Sequence, residues 1–127
     1  MARNAIRFGP ISTAAPGPLY EQIVAGVKRE VAAGRLAPGA ALPSVRALAA
    51  ELLVSLITVK RAYDELERDG ILYSRQGLGT FVSDNGAAQT RRLKRDAARA
   101  ALRVAVRAGR EGAVTDQELL DWLKKEL

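Results

Sequence analysis

The 127-residue sequence contains no cysteine and no histidine, and only 5% of its residues are aromatic. Without cysteine there is no disulfide and no thiolate metal site. Without histidine the commonest general base and metal ligand is missing. No phosphate-binding loop and no carboxylate pair is evident. We therefore expect a protein that is not an enzyme and holds no metal and no cofactor.

Long apolar runs are also missing. No stretch approaches the roughly 20 apolar residues that a membrane-spanning helix needs. The N-terminus has no apolar segment typical of a secretory signal. We therefore expect a cytoplasmic protein with no membrane partner.

What the sequence does contain is enough aliphatic residues for a core and an excess of positive charge. It is 48% hydrophobic, and its formal net charge is +6. Residues 16–84 carry eight basic and eight acidic residues, whereas residues 85–127 carry ten basic and six acidic ones. A basic chain favours anionic partners such as nucleic acid, but at this size the charge alone does not establish a function.

Three helices are predicted in the first two-thirds of the chain. Residues 1–15 lack helical spacing and are interpreted as an N-terminal arm. Apolar spacing predicts a helix from Leu19 to Ala33, with Glu30 among the residues that point away from the core. Ser44 and Ser55 are suited to N-cap a second and a third helix.

The region that follows changes from helical to extended patterning. Only Leu53 and Val54 separate the second and third helices, which indicates a helix-turn-helix. The runs "ILYS" and "TFVS", joined by "RQGLG", then predict a β-hairpin. The predicted fold class is therefore mostly α with a small β-hairpin: a winged helix-turn-helix over residues 16–84.

The start of the third helix is the first candidate for function. A recognition helix enters the major groove of DNA through its N-terminal residues and anchors to phosphates with flanking hydroxyls and cations. The residues that suit these tasks are Ser55, Thr58, Lys60 and Arg61. The hairpin adds Arg75 and Gln76 before its glycines. The alternative is an ordinary amphipathic helix with a cap and two solvated cations.

Motifs across residues 16–84 resemble the N-terminal domain of GntR-type bacterial transcription regulators. They are "PLY", "G-x-L-x-P-G-x-x-L-P-S-V-R", "TV-x-x-A-Y-x-x-L" and the glycine-rich "RQGLGTFV". The resemblance implies that Arg46, Thr58 and Lys60 contact DNA and that Gly77 and Gly79 form a wing tip near the minor groove. The full predicted DNA-binding set is Ser44, Arg46, Ser55, Leu56, Ile57, Thr58, Lys60, Arg61, Arg75, Gln76, Gly77, Gly79 and Thr80. For some members a structural role stays open: Ser44 as a cap, Arg46 in a surface salt bridge, and the glycines as turn formers.

This sequence departs from the family at three positions. The family commonly has Gly where Leu53 stands, and more polar residues, including arginine, at Leu56 and Ile57. Leucine and isoleucine can pack on thymine methyl groups, which favours A·T base pairs. The alternative is that one or both fold back onto the wing.

The last third of the chain predicts two further helices. Residues 84–89 are interpreted as a linker, residues 90–108 as an Ala/Arg-rich helix, and "TDQE" at Thr115 as the capping box of a final helix. About 43 residues are too few to enclose a metabolite pocket of several hundred Å³. The segment is similar to the short tail of the YtrA subfamily, which implies that residues 85–127 form a homodimer.

The apolar residues assigned to that dimer lie on both helices. They are Leu93, Ala97, Ala101, Val104 and Ala108, followed by Leu119, Leu120, Trp122, Leu123 and Leu127. A stripe of arginines recurs every four residues from Arg91 to Arg107. It is either a second contact to the DNA backbone or, as we favour, a solvated face.

The sequence as a whole predicts a transcription regulator. We expect a repressor that binds an inverted-repeat operator in double-stranded DNA as a homodimer, with a small-molecule effector left open as a further partner. The alternative is a winged-helix protein-interaction module, in which the apolar tip at Leu56 and Ile57 contacts a protein.

Overall fold

The computed structural model describes residues 18–127, so the predicted arm at residues 1–15 lies outside the described part. The elements in chain order are α1 (Leu19–Ala32), α2 (Val45–Leu52), α3 (Leu56–Arg68), β1 (Leu72–Arg75), β2 (Gly79–Val82), α4 (Gly86–Glu111) and α5 (Asp116–Glu126). The chain forms two compact units, one ending at Arg91 and one over Arg92–Leu127. Among residues 18–127, no helix is long and apolar enough to cross a membrane.

The predicted caps of α2 and α3 are confirmed. The Ser44 hydroxyl accepts a hydrogen bond from the Ala47 N–H at 3.0 Å, and the Ser55 hydroxyl accepts one from the Thr58 N–H at 3.1 Å. Each bond satisfies an amide that has no partner within its own helix. The chain leaves α3 through Gly70, whose φ of 76° is the left-handed conformation that terminates helices.

The first unit is built around an aliphatic core, as the scarcity of aromatic residues predicts. α1 and α2 both pack against α3, and α3 also contacts β1. The largest side chains with almost no accessible surface are Ile23, Val27, Val31, Leu48, Val59, Leu66, Ile71, Leu72 and Val82. Because α3 contacts both other helices and the hairpin, its orientation is fixed by the core of the unit.

The hairpin is antiparallel, with Leu72 paired to Val82 and Arg75 paired to Gly79. The segment before α2 runs along its other edge: the Leu42 N–H donates to the Thr80 carbonyl at 2.8 Å. In the same segment Ala41 forms an antiparallel bridge with Phe81. The wing is therefore attached to the loop that leads into the helix-turn-helix.

The predicted linker over residues 84–89 is wrong from Gly86 onward, because α4 already begins there. Gly86 is buried, and an added Cβ would lie 3.2 Å from both the Ile71 carbonyl oxygen and the Val31 side chain. The first turn is further held by the Gln89 amide, which donates to the Asp69 carbonyl at 2.9 Å. Tertiary contacts within the first unit thus make a helix of residues whose composition is typical of a linker.

Glu30 also differs from the prediction that it points to solvent. Its residue is only 4% exposed, and its carboxylate accepts a hydrogen bond from Arg35 Nε at 2.6 Å. A carboxylate is buried at low cost only when it is paired. The partner lies five residues away, just after α1, where helical spacing does not show it.

In the second unit, α5 carries the predicted capping box. The Thr115 hydroxyl accepts from the Glu118 N–H, and the Glu118 carboxylate accepts from the Thr115 N–H, each at 3.1 Å. Gly109 is buried and an added Cβ would lie 2.9 Å from Leu119, so α5 packs closely on α4 at that point. No residue of α5 is itself buried.

Candidate nucleic-acid interface

The first turn of α3 presents hydroxyl groups that are already partnered with each other. Besides the cap bond, the Ser55 and Thr58 hydroxyl oxygens lie 2.8 Å apart. Both hydroxyls therefore stabilise the start of the helix, while Ser55 itself stays exposed. Their structural role as a cap is clear from these bonds. Their assignment as DNA contacts stays a prediction.

The two predicted cations of α3 also have partners within the protein. Lys60 Nζ lies 2.6 Å from an Asp64 carboxylate oxygen, and this hydrogen bond raises the pKa of Lys60 above its ordinary value. The Arg61 guanidinium lies 3.8 Å from the centre of the Tyr20 ring and donates to the Tyr20 hydroxyl at 3.2 Å. The second contact ties the start of α1 to the exposed side of α3.

Arg46, in contrast, stands on the surface at the start of α2. Within residues 18–127 its side chain has no ion pair or hydrogen bond, so the alternative of a surface salt bridge finds no support there. It lines an open groove of about 540 Å³. The groove is bounded by Ser44, Val45, Arg46, Leu56, Ile57 and Lys60. It brings together five of the predicted DNA-binding residues from two helices, and adds Val45, which the sequence reasoning missed.

The apolar residues at the start of α3 are exposed. Leu56 is 44% and Ile57 is 81% accessible. An isoleucine with that exposure is not folded back onto the wing, so the alternative does not hold for Ile57. The apolar tip therefore faces outward beside two cations, which is an unusual placement for aliphatic side chains of this size.

Leu53, in the turn that joins α2 to α3, has a left-handed backbone with φ 58° and ψ 43°. Its side chain is 91% exposed, so no burial offsets the unfavourable conformation. Having leucine instead of the family's glycine at position 53 therefore makes the folded turn less favourable in free energy. Glycine adopts the same conformation freely because it has no Cβ.

The five predicted residues of the hairpin do not line this groove. Arg75, Gln76, Gly77 and Gly79 are exposed at the turn, and both glycines have positive φ, which supports their role as turn formers. The turn also exposes Leu78 at 69%, which the sequence reasoning missed.

The hairpin is held in shape by its own cross-strand pairs. The Ser74 and Thr80 hydroxyl oxygens lie 3.1 Å apart, and the Tyr73 and Phe81 rings are 5.6 Å apart between centroids. Such pairs are the usual stabilising contacts of a two-stranded sheet. Thr80 therefore has a structural partner, and its predicted contact to DNA stays a prediction.

Beneath the interface, Tyr63 holds the loop that precedes α2. It is buried in the core, and its hydroxyl donates to the Pro43 carbonyl at 2.7 Å. Burial, with a smaller contribution from Glu51, raises the pKa of Tyr63 well above its ordinary value. The bond fixes the entry into α2, and hence the position of Ser44 and Arg46, relative to α3.

The second unit exposes much of its apolar surface. Leu120, Trp122 and Leu123 are 51%, 51% and 41% accessible, and Leu127 is 94% accessible. A groove of about 570 Å³ between α4 and α5 is lined by Leu102, Ala105, Val106, Arg110, Asp116, Leu119, Leu120, Trp122, Leu123 and Glu126. On α5 it includes four predicted dimer residues. On α4 its apolar lining is Leu102, Ala105 and Val106. None of the five α4 residues that the sequence assigns to the dimer lines the groove, because they lie on another side of the helix.

Residues 19–82 match the profile of a protein family described as "Bacterial regulatory proteins, gntR family". The HTH-type transcriptional repressor YtrA of Bacillus subtilis (strain 168) is 34% identical over 108 residues, which cover 85% of this chain and 83% of that protein.

Two solved structures are similar as well. The crystal structure of a transcriptional regulator from Oenococcus oeni has a TM-score of 0.71 and 27% identity, and covers 90% of this chain and 94% of that one. The crystal structure of AraR(DBD) in complex with operator ORX1 has a TM-score of 0.52 and 33% identity, and covers 59% of this chain and 89% of that one.

Proposed function

The chain belongs to the GntR family of bacterial regulatory proteins, and from that premise we propose that it is a sequence-specific transcription regulator that binds duplex DNA through its winged helix-turn-helix. Its similarity to a transcriptional repressor along most of both chains supports repression as its mode of action. Such a protein acts in the bacterial cytoplasm, where it occupies an operator and blocks the promoter sterically.

The observation that carries this proposal is the exposed groove between the starts of α2 and α3. It places the Arg46 guanidinium, which has no ion pair within residues 18–127, beside the exposed first turn of α3, with Lys60 on the same surface. In a helix-turn-helix that first turn enters the major groove, and the flanking cations and caps contact the backbone. The hairpin turn, with Arg75 and Gln76 exposed, supplies the wing.

Fluorescence anisotropy tests the proposal on the full chain, with a duplex covering the DNA upstream of its own gene and a scrambled duplex of equal composition. We expect tight, specific binding to the first only. Arg46→Ala should cost about 1–3 kcal/mol of binding free energy if the guanidinium reads a base. Arg68→Ala is the matched control, because it removes the same charge from the far end of α3. Equal, weak binding to both duplexes would contradict the proposal and leave the protein-interaction alternative.

The second unit has a role in this proposal as a homodimer interface. Its exposed leucines and Trp122 form an apolar surface that α4 and α5 cannot cover between them. A two-fold pair of copies would cover that surface and place two recognition helices on an inverted repeat. Two linked half-site contacts would also raise the affinity through effective concentration.

Sedimentation velocity tests the dimer. We expect the wild type to sediment as a dimer and Trp122→Glu as a monomer, because a carboxylate cannot be buried in an apolar seam without a partner. Leu78→Glu makes a similar change at an exposed position of the hairpin turn and should remain dimeric. A wild type that stays monomeric at all concentrations would refute the interface.

We also propose that the arginine stripe of α4 stays solvated when DNA is bound. Each phosphate contact that is lost lowers the slope of log affinity against log salt by about one unit. The double variant Arg95→Ala/Arg99→Ala should therefore keep the salt slope of the wild type. A slope flatter by about two units would show that both arginines contact the DNA backbone.

A further inference from the structure

The free side chains in the first turn of α3 are apolar. Of the first-turn side chains of α3, the hydroxyls of Ser55 and Thr58 contact each other, whereas Leu56 and Ile57 face outward. In the second turn Lys60 pairs with Asp64. Among residues 18–127, the side chains that project without a polar partner at the start of this helix are therefore aliphatic, Leu56 and Ile57.

We infer that Leu56 and Ile57 read the 5-methyl groups of thymine in the major groove, an inference that rests on the proposed DNA-binding function. Thymine is the base that presents a methyl group on that face of the duplex, and aliphatic side chains are its natural contact. Burying a methyl group is favourable whether or not a hydrogen bond accompanies it. Specificity at these base pairs then comes from apolar contact, with no hydrogen bond to a base edge.

The charges around the apolar tip suit duplex DNA as the occupant. Arg46 and Lys60 line the same groove as the two aliphatic residues. A duplex offers apolar methyl groups within the major groove and anionic phosphates along its edges, which suits a surface that combines aliphatic side chains with cations. The Lys60–Asp64 pair is exposed and worth little in water, so Lys60 can exchange this partner for a phosphate.

Because Leu56 and Ile57 are exposed, they can be substituted without unfolding the protein. Ile57 has 81% of its surface accessible, so Ile57→Ala removes almost no packing from the free protein. The arrangement differs from that at Val59, two residues further on, which is fully buried and belongs to the core. A change in DNA binding by Ile57→Ala therefore reports a contact with DNA.

The experiment replaces thymine by uracil, which removes the methyl group and leaves every hydrogen-bonding group of the base in place. The probe is the binding site that footprinting identifies in the DNA upstream of the gene. It is made with thymidine throughout or with deoxyuridine in place of one thymidine at a time in each half-site. We expect the wild type to lose about fourfold in affinity for each methyl group removed at the contacted positions, the factor that corresponds to burying one methyl group. Ile57→Ala should bind the thymine site more weakly and show a reduced ratio of thymine to uracil affinity.

Leu53→Ala is the control, because it shortens an exposed leucine that is outside the groove and outside the predicted DNA-binding set, and it should keep the wild-type ratio. A wild type that binds its site specifically but treats thymine and uracil alike overturns this inference and leaves the proposed function intact. A ratio that persists in both Ile57→Ala and Leu56→Ala also overturns it, since the methyl group is then read elsewhere. Absence of any specific site contradicts the proposed function itself.

Discussion

Replacing Leu53 by glycine should stabilise the protein, although it deletes a large aliphatic side chain. Leu53 has φ 58° and ψ 43°, a conformation that costs an L-residue with a Cβ about 1–2 kcal/mol. Its side chain is 91% exposed, so its removal loses almost no burial. Glycine makes the unfolded chain more flexible, which offsets about 0.4–1 kcal/mol of that gain. The net expectation is a stabilisation of about 0.5–1 kcal/mol.

Thermal unfolding followed by circular dichroism measures this effect. For a unit of this size, about 1 kcal/mol corresponds to a shift of about 4–8 °C, so Leu53→Gly should raise the melting temperature by about 2–8 °C. Leu53→Ala keeps the Cβ and should change the melting temperature little. Leu78→Gly makes the same chemical change at an exposed leucine whose φ is not positive, and should be destabilising.

Two results would refute this reasoning. If Leu53→Gly lowers the melting temperature, the side chain makes a stabilising contact that its exposure does not indicate. If Leu53→Ala stabilises as much as Leu53→Gly, the gain comes from removing an exposed leucine and not from the left-handed backbone. In either case the turn between α2 and α3 carries no conformational cost of the expected size.

Two other changes test the contacts that position the interface and the second unit. Tyr63→Phe removes the hydrogen bond to the Pro43 carbonyl and should cost about 0.5–1.5 kcal/mol in urea unfolding, more if the carbonyl stays unsatisfied. Because burial raises the folded-state pKa of Tyr63 above its unfolded value of about 10, the wild type should lose stability as the pH rises above about 10, and Tyr63→Phe should lack this component. Thr115→Ala removes the α5 cap and should cost about 1 kcal/mol, seen as faster amide hydrogen exchange in the first turn of α5, whereas exchange in α3 should not change.

Much of the fold follows from local signals in the sequence. Serines at 44 and 55 are caps because a side-chain hydroxyl can satisfy an early helical amide without any tertiary contact. Apolar spacing predicts α1, and the glycines of "RQGLG" predict the turn of the hairpin. The residues of the candidate site were predicted from the same local signals. They stand at the starts of two helices and in a turn, and the caps and glycines in the sequence mark those places.

Two features, the start of α4 and the burial of Glu30, depend on contacts that helical spacing does not show. The contacting residues lie far away in the sequence or beyond the end of the helix. The start of α4 at Gly86 depends on close packing against Ile71 and on the Gln89–Asp69 bond, so its linker-like composition was misleading. The burial of Glu30 depends on an arginine beyond the end of its helix.

Except for the start of α4, the sequence by itself determined the elements, the caps and the family, since each of these rests on interactions within a few residues or on motifs read in order. Only the tertiary structure decided which of the candidate residues share one surface. In the folded chain Arg46 lines the same groove as Ile57, and the Arg61 guanidinium packs on the Tyr20 ring. The physical reason is that helical spacing gives a side chain's direction around its own axis, whereas the packing of α2 and α1 on α3 decides what that side chain meets.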